Sequence, residues 1–253
     1  MKVSIIGTGN VAYHLIRGFC QNGVEIEKVY GRDERELKFL ADRFGVSVTN
    51  NFSDKGDSEI YILAVSDSAI ANVAAWFRNK PLVHTAGAVD VGVLSFYTER
   101  YGVFYPFQTF RKCYNIDWQS VPIFLESCCK DFDQLLVELA GSLTQEYHFL
   151  SSEKRIYLHL SGVFVNNFVN HLLYHTKKLL ESNGLQFEWT FPLLKQTLEN
   201  IKEFDPYDIQ TGPARRGDLI SMSVHQRLLK DDEVLQRIYN ILSHSILRLY
   251  NKE

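Results

Sequence analysis

The stretch Gly7–Ala12, which reads GTGNVA, constrains the fold of this chain more than any other feature. A short β-branched run precedes it, and a segment with apolar side chains at helical spacing follows it. In this order of strand, turn and helix, Gly7 permits the sharp turn, Gly9 lets the backbone approach a pyrophosphate, and Ala12 lets the helix pack on the strand. The amides and dipole of the helix N-terminus then favour an anion. We therefore expect a dinucleotide site, the alternative being a glycine turn that binds no ligand.

Chain length and composition limit the classes of protein to consider. At 253 residues the chain forms one large domain or two small ones, and 45% hydrophobic residues suffice for a sizeable core. A net charge of -3 argues against a nucleic-acid partner held through phosphate contacts. No apolar run approaches the roughly 20 residues that span a bilayer, so no membrane partner is expected. The lack of a secretory signal, and of any C-x-x-C pair among the four cysteines, favours reduced thiols and a cytoplasmic location.

The first 150 residues alternate short β-rich runs with helical segments, as βαβ units do. An α/β fold, with a Rossmann-like and mostly parallel sheet, is therefore predicted for residues 1–150. Such sheets bind ligands at the carboxyl ends of their strands. Strands are predicted at 2–6, 25–30, 46–48, 58–64, 81–84, about 101–105, 121–125 and 146–150. Helices are predicted at about 10–22, 33–44, 67–78 and 130–143.

From Ser151 onwards the pattern is entirely helical, so residues 151–253 are predicted to form a separate all-helical domain. Ser151 is the expected cap of a helix that runs without proline to about Ser182. The pair Asn183-Gly184 is a typical stop for that helix. Further helices are predicted at 190–204, 214–229 and 231–250.

The residues after the second predicted strand indicate which cofactor binds. An acidic residue at this strand end binds the ribose 2′-hydroxyl of NAD, whereas an arginine accommodates the 2′-phosphate of NADP. Neither Tyr30 nor Gly31 is acidic and Arg32 follows them, which favours NADP. Asp33 lies one residue late and is better explained as the cap of the next helix. The cofactor contacts predicted here and at the glycine turn are Gly7, Thr8, Gly9, Asn10, Val11 and Arg32.

Two further strand ends meet the same edge of the predicted sheet. Val65, Ser66 and Asp67 follow the fourth strand, where Ser66 or Asp67 either caps the next helix or contacts the cofactor. Thr85 and Gly87 follow the fifth strand in a run of small residues that leaves room for a flat ring. All five residues are included among the predicted cofactor contacts.

Polar side chains form a line along the long predicted helix. At about 100° per residue they lie within about 40° of one line along the helix, while most of the remaining surface is apolar. We expect this helix to be buried against another subunit, with the polar line facing a cleft, although a plain solvent-exposed stripe is the alternative. His159 and Asn166 are the predicted catalytic residues, because an imidazole suits proton transfer near neutral pH and an amide can hold a carbonyl. The residues on the line are Ser152, Arg155, His159, Asn166, Asn170 and Lys177.

Three remaining features carry less specific signals. The aromatic turn Tyr105–Phe110 either walls a pocket or packs between domains. His171 and His175 have a spacing that can chelate a metal, but neither an H-E-x-x-H motif nor a nearby cysteine pair accompanies them, so no metal is predicted. Arg215 and Arg216 follow a glycine-proline turn at a helix start, where they either hold an anionic substrate group or are ordinary surface arginines.

These motifs together resemble a known family over nearly the whole chain. They resemble two-domain proteins that join a Rossmann-like half to a C-terminal helical domain of unknown function, often labelled NADP oxidoreductases of the deazaflavin-dependent type. The wider superfamily is similar to pyrroline-5-carboxylate reductase and 6-phosphogluconate dehydrogenase. The resemblance implies NADP binding and a homodimer formed through the C-terminal helices, without naming a substrate. It is carried by the glycine turn, Leu63–Asp67, His84–Ala88, Tyr105–Phe110, the helix with His159 and Asn166–Phe168, and Thr211–Asp218.

The chain departs from the hydroxyacid dehydrogenases of this superfamily at one position. Those enzymes carry a lysine in the long helix four residues before an asparagine, whereas here Gly162 stands four residues before Asn166. The expected function is an NADP-dependent oxidoreductase that transfers a hydride to or from a small-molecule substrate in the cleft between the domains. The missing lysine keeps open an alternative from another class, a non-catalytic NADP-binding sensor or regulatory protein.

Overall fold

The computed structural model describes residues 1–251. Its contacts divide the chain into two compact units, of which the first is Met1–Asn167 and the second begins at Phe168. The predicted α/β class is confirmed, because residues 1–150 contain a mostly parallel sheet and the later residues are helical. The predicted domain boundary at residue 150 comes directly after the last strand of that sheet, which ends at Phe149.

One sheet of eight strands forms the centre of the described first unit, in the order β3-β2-β1-β4-β5-β6-β7-β8. Neighbouring strands from β3 to β6 are parallel, and only the β6–β7 pair is antiparallel. The strand order reverses between β1 and β4, the place where doubly wound sheets bind dinucleotides. The strands are β1 Lys2–Ile6, β2 Glu25–Tyr30, β3 Val48–Thr49, β4 Ile60–Leu63, β5 Leu82–His84, β6 Tyr101–Pro106, β7 Ile123–Ser127 and β8 Tyr147–Phe149.

Helices of the first unit cover both faces of this sheet with apolar side chains. α1 (Asn10–Gln21) buries residues such as Leu15, Ile16 and Phe19 against the central strands. Every side chain of β4 is buried, as expected of a strand covered on both faces. The other helices of this unit are α2 Glu34–Phe44, α3 Ile70–Ala74, α4 Lys130–Gly141 and α5 Ser152–Gly162.

The prediction of one regular helix over residues 67–78 is wrong. Two 3₁₀ turns, Asp67–Ala69 and Ala75–Phe77, flank an α-helix of five residues. The side chain of Ser66 does not cap this segment, and its carbonyl instead accepts a bond from the amide of Ala69. A first turn without a side-chain cap tightens into such i→i+3 bonds, which explains the change.

The predicted single helix from about 153 to 182 is interrupted. A π-helical segment, Val163–Phe168, separates α5 from α6 (Val169–Glu181). Because a π-turn holds more residues than an α-turn, positions beyond Phe168 are rotated away from the polar line predicted at a constant angle. Two members of that line, Asn170 and Lys177, lie beyond this point.

The second unit contains four further helices in its described residues. The predicted helix over 214–229 is divided at Gly217, whose φ of 67° ends the first piece, and Asp218 then caps the next piece through the amide of Ser221. Pro213 occupies the first turn as predicted. The helices are α7 Phe191–Glu203, α8 Pro213–Arg216, α9 Leu219–Leu228 and α10 Glu233–Tyr250.

A buried ion pair fixes the start of α5. The side chain of Ser151, predicted as the cap, makes no capping bond, and the carboxylate of Glu126 on β7 accepts the amide of Ser152 instead, at 2.9 Å. The guanidinium of Arg155 is 1% exposed, pairs with Glu126 and donates to the carbonyl of Val89. One strand, one loop and one helix are therefore joined at a single buried arginine.

Replacing Arg155 with alanine is expected to lower the free energy of unfolding by about 3–5 kcal/mol, since it leaves a carboxylate without its buried partner. Urea denaturation followed by the fluorescence of the buried Trp118 measures the change. The matched control is Arg237→Ala, because Arg237 forms an ion pair with Glu233 in which both side chains are at least 73% exposed. The control is expected to cost about 0.5 kcal/mol or less. Equal effects in the two variants would contradict the structural role of Arg155.

Candidate functional site

Gly7 makes the turn after β1 possible. Its φ is +132°, a conformation that favours glycine, and its amide donates to the carbonyl of Tyr30 at 2.8 Å. A Cβ added at Gly7 would lie 2.1 Å from the carbonyl oxygen of Ala64. The backbone of β1 and the backbone after β4 approach too closely here for any other residue. Gly7 is therefore required by the fold itself.

Gly9, at the N-terminus of α1, has a different role. Its φ is -77°, and a Cβ added there would meet no described atom within 4 Å. Among the described residues, no side chain caps the N-terminus of α1. The first amides of this helix therefore remain available to an anion. The absence of a side chain at Gly9 serves no internal packing and leaves open space above the helix terminus. These residues fit the pyrophosphate of a dinucleotide.

A loop after β6 holds the start of α1 in place. The side-chain oxygen of Asn10 accepts the amide of Lys112 at 3.2 Å, and His14, 1% exposed, donates from Nε2 to the carbonyl of Arg111 at 2.7 Å. Burial lowers the pKa of His14, so its ring is neutral at pH 7 and this donor remains. The first turns of α1 are thus anchored by a second element, the loop after β6.

The end of β2 places an exposed arginine beside the glycine turn. A Cβ added at Gly31 would lie 2.5 Å from Cγ2 of Thr8, so the two residues pack directly against each other. Asp33 caps α2 as predicted, accepting the amides of Arg35 and Glu36. The carboxylate of Asp33 is therefore used within the fold, and Arg32 remains exposed at this strand end.

The ends of β4 and β5 lie side by side at the same edge of the sheet, because these strands are parallel neighbours. Val65 is half-buried, and Ser66 and Asp67 are exposed. The amide of Thr85 donates to the carbonyl of Leu63 at 3.3 Å. The hydroxyl of Ser66 is not a helix cap, which removes one of its two predicted roles and leaves the predicted cofactor contact.

Gly87 adjoins a tyrosine and a histidine from two other elements. A Cβ added at Gly87 would lie 2.5 Å from Nδ1 of His159 and 2.8 Å from Cζ of Tyr105. The hydroxyl of Tyr105 and Nδ1 of His159 are 3.0 Å apart and share a hydrogen bond. The ends of β5 and β6 and the middle of α5 therefore meet at one point, which we call the Tyr105–His159 pair.

Burial raises the pKa of Tyr105 to about 12, with a smaller opposing effect from Arg155 and a small upward effect from the carboxylate of Asp67. The phenol is therefore protonated at neutral pH. Sequence reasoning noted Tyr105 only as part of an aromatic turn. Its position at the carboxyl end of β6 was the signal that would have identified it, since strand ends at this edge carry the site.

The rest of the aromatic turn packs on α5 and the π-helical segment. The ring of Phe107 packs closely on Gly162. A Cβ added at Gly162 would lie only 2.7 Å from Cε2 of Phe107. Nδ2 of Asn166 donates to the hydroxyl of Thr109. The two predicted catalytic residues therefore contact different parts of the same stretch: His159 meets Tyr105 at the end of β6, and Asn166 meets Thr109 in the loop after it.

A neutral histidine lies beneath this edge. His84, at the end of β5, is fully buried, and its Nδ1 accepts the amide of Ala86 at 3.2 Å. Burial, and after it the charge of Arg155, lowers the pKa of His84 to about 3. Its Nε2 has no hydrogen-bond partner among the described residues. The ring is thus a structural support of the loop that carries Gly87 rather than a proton donor.

The remaining predicted residues belong to the second unit. Arg215 and Arg216 occupy the last positions of the short helix α8, and the guanidinium of Arg215 lies 4.2 Å from the ring centre of Tyr250. The Nε2 atoms of His171 and His175 are 3.2 Å apart. Within residues 1–251 no group of three or more His, Cys, Asp or Glu side chains could hold a metal ion. No helix in the same described range is long and apolar enough to cross a membrane.

Comparison with protein families assigns both halves of the chain. Residues 2–91 match the family described as NADP oxidoreductase, coenzyme F420-dependent. Residues 121–246 match a domain of unknown function, DUF2520. A structure from Bacteroides fragilis, described as a candidate NADP oxidoreductase, is 34% identical with a TM-score of 0.91, and the match covers 98% of each chain. The chain belongs to this NADP oxidoreductase family.

More distant structures share the fold of this chain. A reductive aminase from Aspergillus terreus, in complex with NADPH and ethyl-5-oxohexanoate, is 12% identical with a TM-score of 0.74, covering 98% of this chain and 93% of the other. A pyrroline-5-carboxylate reductase from Coxiella burnetii is 17% identical with a TM-score of 0.58, covering 99% and 97%. A comparison with curated proteins found no match. These distant likenesses show a shared fold.

The two glycines of the turn give a matched pair of variants. Gly7→Ala is expected to lower the free energy of unfolding by about 3 kcal/mol or more, because it adds a backbone clash to a strained φ. Gly9→Ala is expected to change stability by no more than about 0.5 kcal/mol, since its Cβ meets no described atom. It is nevertheless expected to weaken NADPH binding about tenfold or more, because the Cβ enters the space for the pyrophosphate. Thermal denaturation and fluorescence titration separate the two effects, and unchanged NADPH affinity in Gly9→Ala would contradict the assignment.

Proposed function

We propose that this NADP oxidoreductase transfers a hydride between NADPH and a small substrate with a C=O or C=N group. The observation that carries the proposal is the open space at Gly9 above an uncapped helix terminus, at the point where the strand order reverses. The bound cofactor supplies the hydride, and the chain supplies orientation and electrostatics. Gly7, Thr8, Gly9, Asn10 and Val11 hold the pyrophosphate.

NADP, rather than NAD, is the proposed cofactor. Arg32 is exposed at the end of β2, and Oδ1 of the nearby Asp33 accepts the amides of Arg35 and Glu36, so this carboxylate serves as a helix cap. A guanidinium suits a phosphate because it donates paired hydrogen bonds. On the other side of the switch point, Val65, Ser66, Asp67, Thr85 and Gly87 line the edge of the sheet proposed to receive the nicotinamide half.

Proton transfer at the substrate is assigned to the helix residues that meet this edge. His159 lies beside Gly87 and handles the proton, and Asn166, one helical segment further, holds a carbonyl or amide of the substrate. Arg215 and Arg216 are proposed to bind an anionic group of the substrate, as paired donors do. The structurally similar reductive aminase, which was solved with ketones such as ethyl-5-oxohexanoate, supports the choice of carbonyl substrates.

Cofactor preference tests the first part of the proposal. NADPH is expected to bind more tightly than NADH, and Arg32→Ala is expected to remove most of the difference, about 1–3 kcal/mol for a charge-assisted contact. The control is Arg43→Ala, which removes a positive charge from the last turn of α2. Fluorescence titration measures both affinities. Equal affinities of the wild-type protein for NADPH and NADH would refute the choice of NADP.

Turnover tests the chemistry. The wild-type protein is expected to oxidise NADPH in the presence of ethyl levulinate, or of cyclohexanone with allyl amine, the compounds bound by structurally similar reductive aminases. Absorbance of the reduced nicotinamide measures the rate. Tight NADPH binding without oxidation by either probe would count against this substrate class and favour a non-catalytic binding protein.

We also propose that the working form is a homodimer joined through the C-terminal helices. Among the hydrophobic side chains of the described second unit, only Ala214, Met222 and Leu229 are buried. Many large apolar side chains of the same unit are exposed, for example Leu193 at 72%, Ile220 at 82% and Ile241 at 69%. An apolar surface of this extent needs a partner, and a second copy offers a surface with the same apolar character. The partner is therefore proposed to be the same chain.

Light scattering is expected to give twice the chain mass of 29.2 kDa at micromolar concentration. Ile241→Glu is expected to shift the equilibrium towards monomer, because it adds a charge to the apolar surface of α10. The control is Phe96→Glu, a residue 80% exposed in the first unit, which is expected to leave the mass unchanged. A wild-type mass of one chain would exclude the dimer.

A further inference from the structure

We infer that Tyr105 is the residue that gives the proton directly to the substrate, and that His159 replaces that proton from behind. The inference rests on the proposed function and adds a catalytic residue to it. Three observations support it: the position of Tyr105 in the sheet, its hydrogen bond to His159, and the packing of Phe107 against Gly162 of α5.

Tyr105 lies on the side of the sheet where the reactive half of the cofactor is proposed to bind. β6 is the parallel neighbour of β5, so their carboxyl ends share an edge with Thr85 and Gly87. Arg32, the proposed contact of the adenosine half, lies beyond β1 at the end of β2 on the other side of the switch point. A residue that ends β6 is therefore placed for chemistry rather than for cofactor recognition.

The hydrogen bond between Tyr105 and His159 sets the direction of proton donation. A tyrosine hydroxyl can accept one hydrogen bond while it donates another, whereas a neutral imidazole nitrogen does only one of the two. If Nδ1 of His159 carries its proton and donates to the oxygen of Tyr105 across 3.0 Å, the phenolic hydrogen is free to bind a substrate. Tyr105 is half-buried, and no side chain at Gly87 lies over its ring.

The protonation state suits a donor. Burial keeps Tyr105 protonated at neutral pH by raising its pKa to about 12, and the charged groups that also affect it are Arg155, which opposes the shift, and Asp67, which adds to it. A phenol is still a stronger acid than the aliphatic alcohol that forms from a ketone. Transfer of its proton to the developing alkoxide is therefore favourable.

Position 162 of α5, one helical turn after His159, cannot supply the acid. At Gly162 an added Cβ would lie 2.7 Å from the ring of Phe107, so a long side chain such as lysine would need Phe107 to move. The same turn that fills this position also brings Tyr105 to His159, one helical turn earlier in α5. The chain thus carries its acid on β6 instead of on the long helix.

The step balances for reduction of a ketone. A nicotinamide cofactor, when bound, would supply the hydride to the carbonyl carbon. The C=O π-electron pair moves to oxygen, which takes the proton from the hydroxyl of Tyr105 and becomes an alcohol. The tyrosinate takes the proton from Nδ1 of His159 while Nε2 takes a proton from solvent, so the ring stays neutral and changes only its tautomer.

Side-chain nuclear magnetic resonance tests the pair without any turnover. The ¹H–¹⁵N correlation spectrum of the histidine rings is recorded for the wild-type protein, and His159→Gln identifies the signal of His159. Tyr105→Phe, which removes only the hydroxyl, is expected to shift this signal. Tyr101→Phe, at the opposite end of β6, is the matched control and is expected to leave it unchanged. An unchanged His159 signal in Tyr105→Phe overturns the inference.

Kinetics with NADPH and cyclohexanone distinguish Tyr105 from His159 as the direct donor. Tyr105→Phe is expected to lower kcat about 100-fold or more while the Kd of NADPH stays unchanged. His159→Gln is expected to lower kcat less, because the phenol remains and water can replace its proton. The reverse order, with Tyr105→Phe near the wild-type rate, overturns the inference and leaves the proposed function intact. A wild-type protein that binds NADPH but reduces neither cyclohexanone nor its imine with allyl amine overturns both.

Discussion

The buried ion pair of Arg155 with Glu126 is the interaction on which the arrangement of the site depends. Arg155 pairs with Glu126 on β7, donates to the carbonyl of Val89, and belongs to the first turns of α5. Because a buried charge is costly unless it is paired and hydrogen-bonded, these three elements are held at fixed distances. Gly87 lies two residues before Val89 and His159 lies four residues after Arg155. The contact between the β5 end and the helix is therefore set by this ion pair.

The edge of the sheet proposed as the site has two parts, one on each side of the switch point. On one side of the switch point, the glycine turn and Arg32 suit recognition of a phosphorylated nucleotide. On the other side, small residues after β5 leave space, and β6 and α5 bring a phenol and an imidazole to its border. Parallel strands make this division possible, because they deliver their carboxyl ends to one edge while each loop varies independently.

Particular residues show where sequence reasoning succeeded and where it failed. The eight strands, the role of Asp33 as a helix cap and the need for glycine at position 7 follow from local patterns, and the structure agrees with them. Ser66 and Ser151 stand at the helix starts where capping was considered, but neither side chain makes a capping bond. The carbonyl of Ser66 accepts the amide of Ala69 in an i→i+3 turn, and the carboxylate of Glu126 accepts the amide of Ser152. Glu126 lies 25 residues before Ser151 in the chain, so no local pattern could have indicated it. The roles assigned to His159, Asn166, Arg215 and Arg216 stay predictions.

The sequence by itself determined the order of strands and helices, the glycine turn after β1 and the change to an all-helical chain after residue 150. These depend on interactions between residues close in sequence, namely hydrophobic periodicity, capping and the backbone freedom of glycine. Only the tertiary structure decided that Tyr105 meets His159, that Phe107 fills the space at Gly162, and that a π-helical segment interrupts the long helix. Tyr105 and His159 are 54 residues apart, and their contact arises from packing of α5 against the sheet edge. Contacts of this kind depend on how whole elements pack, which a local pattern does not encode.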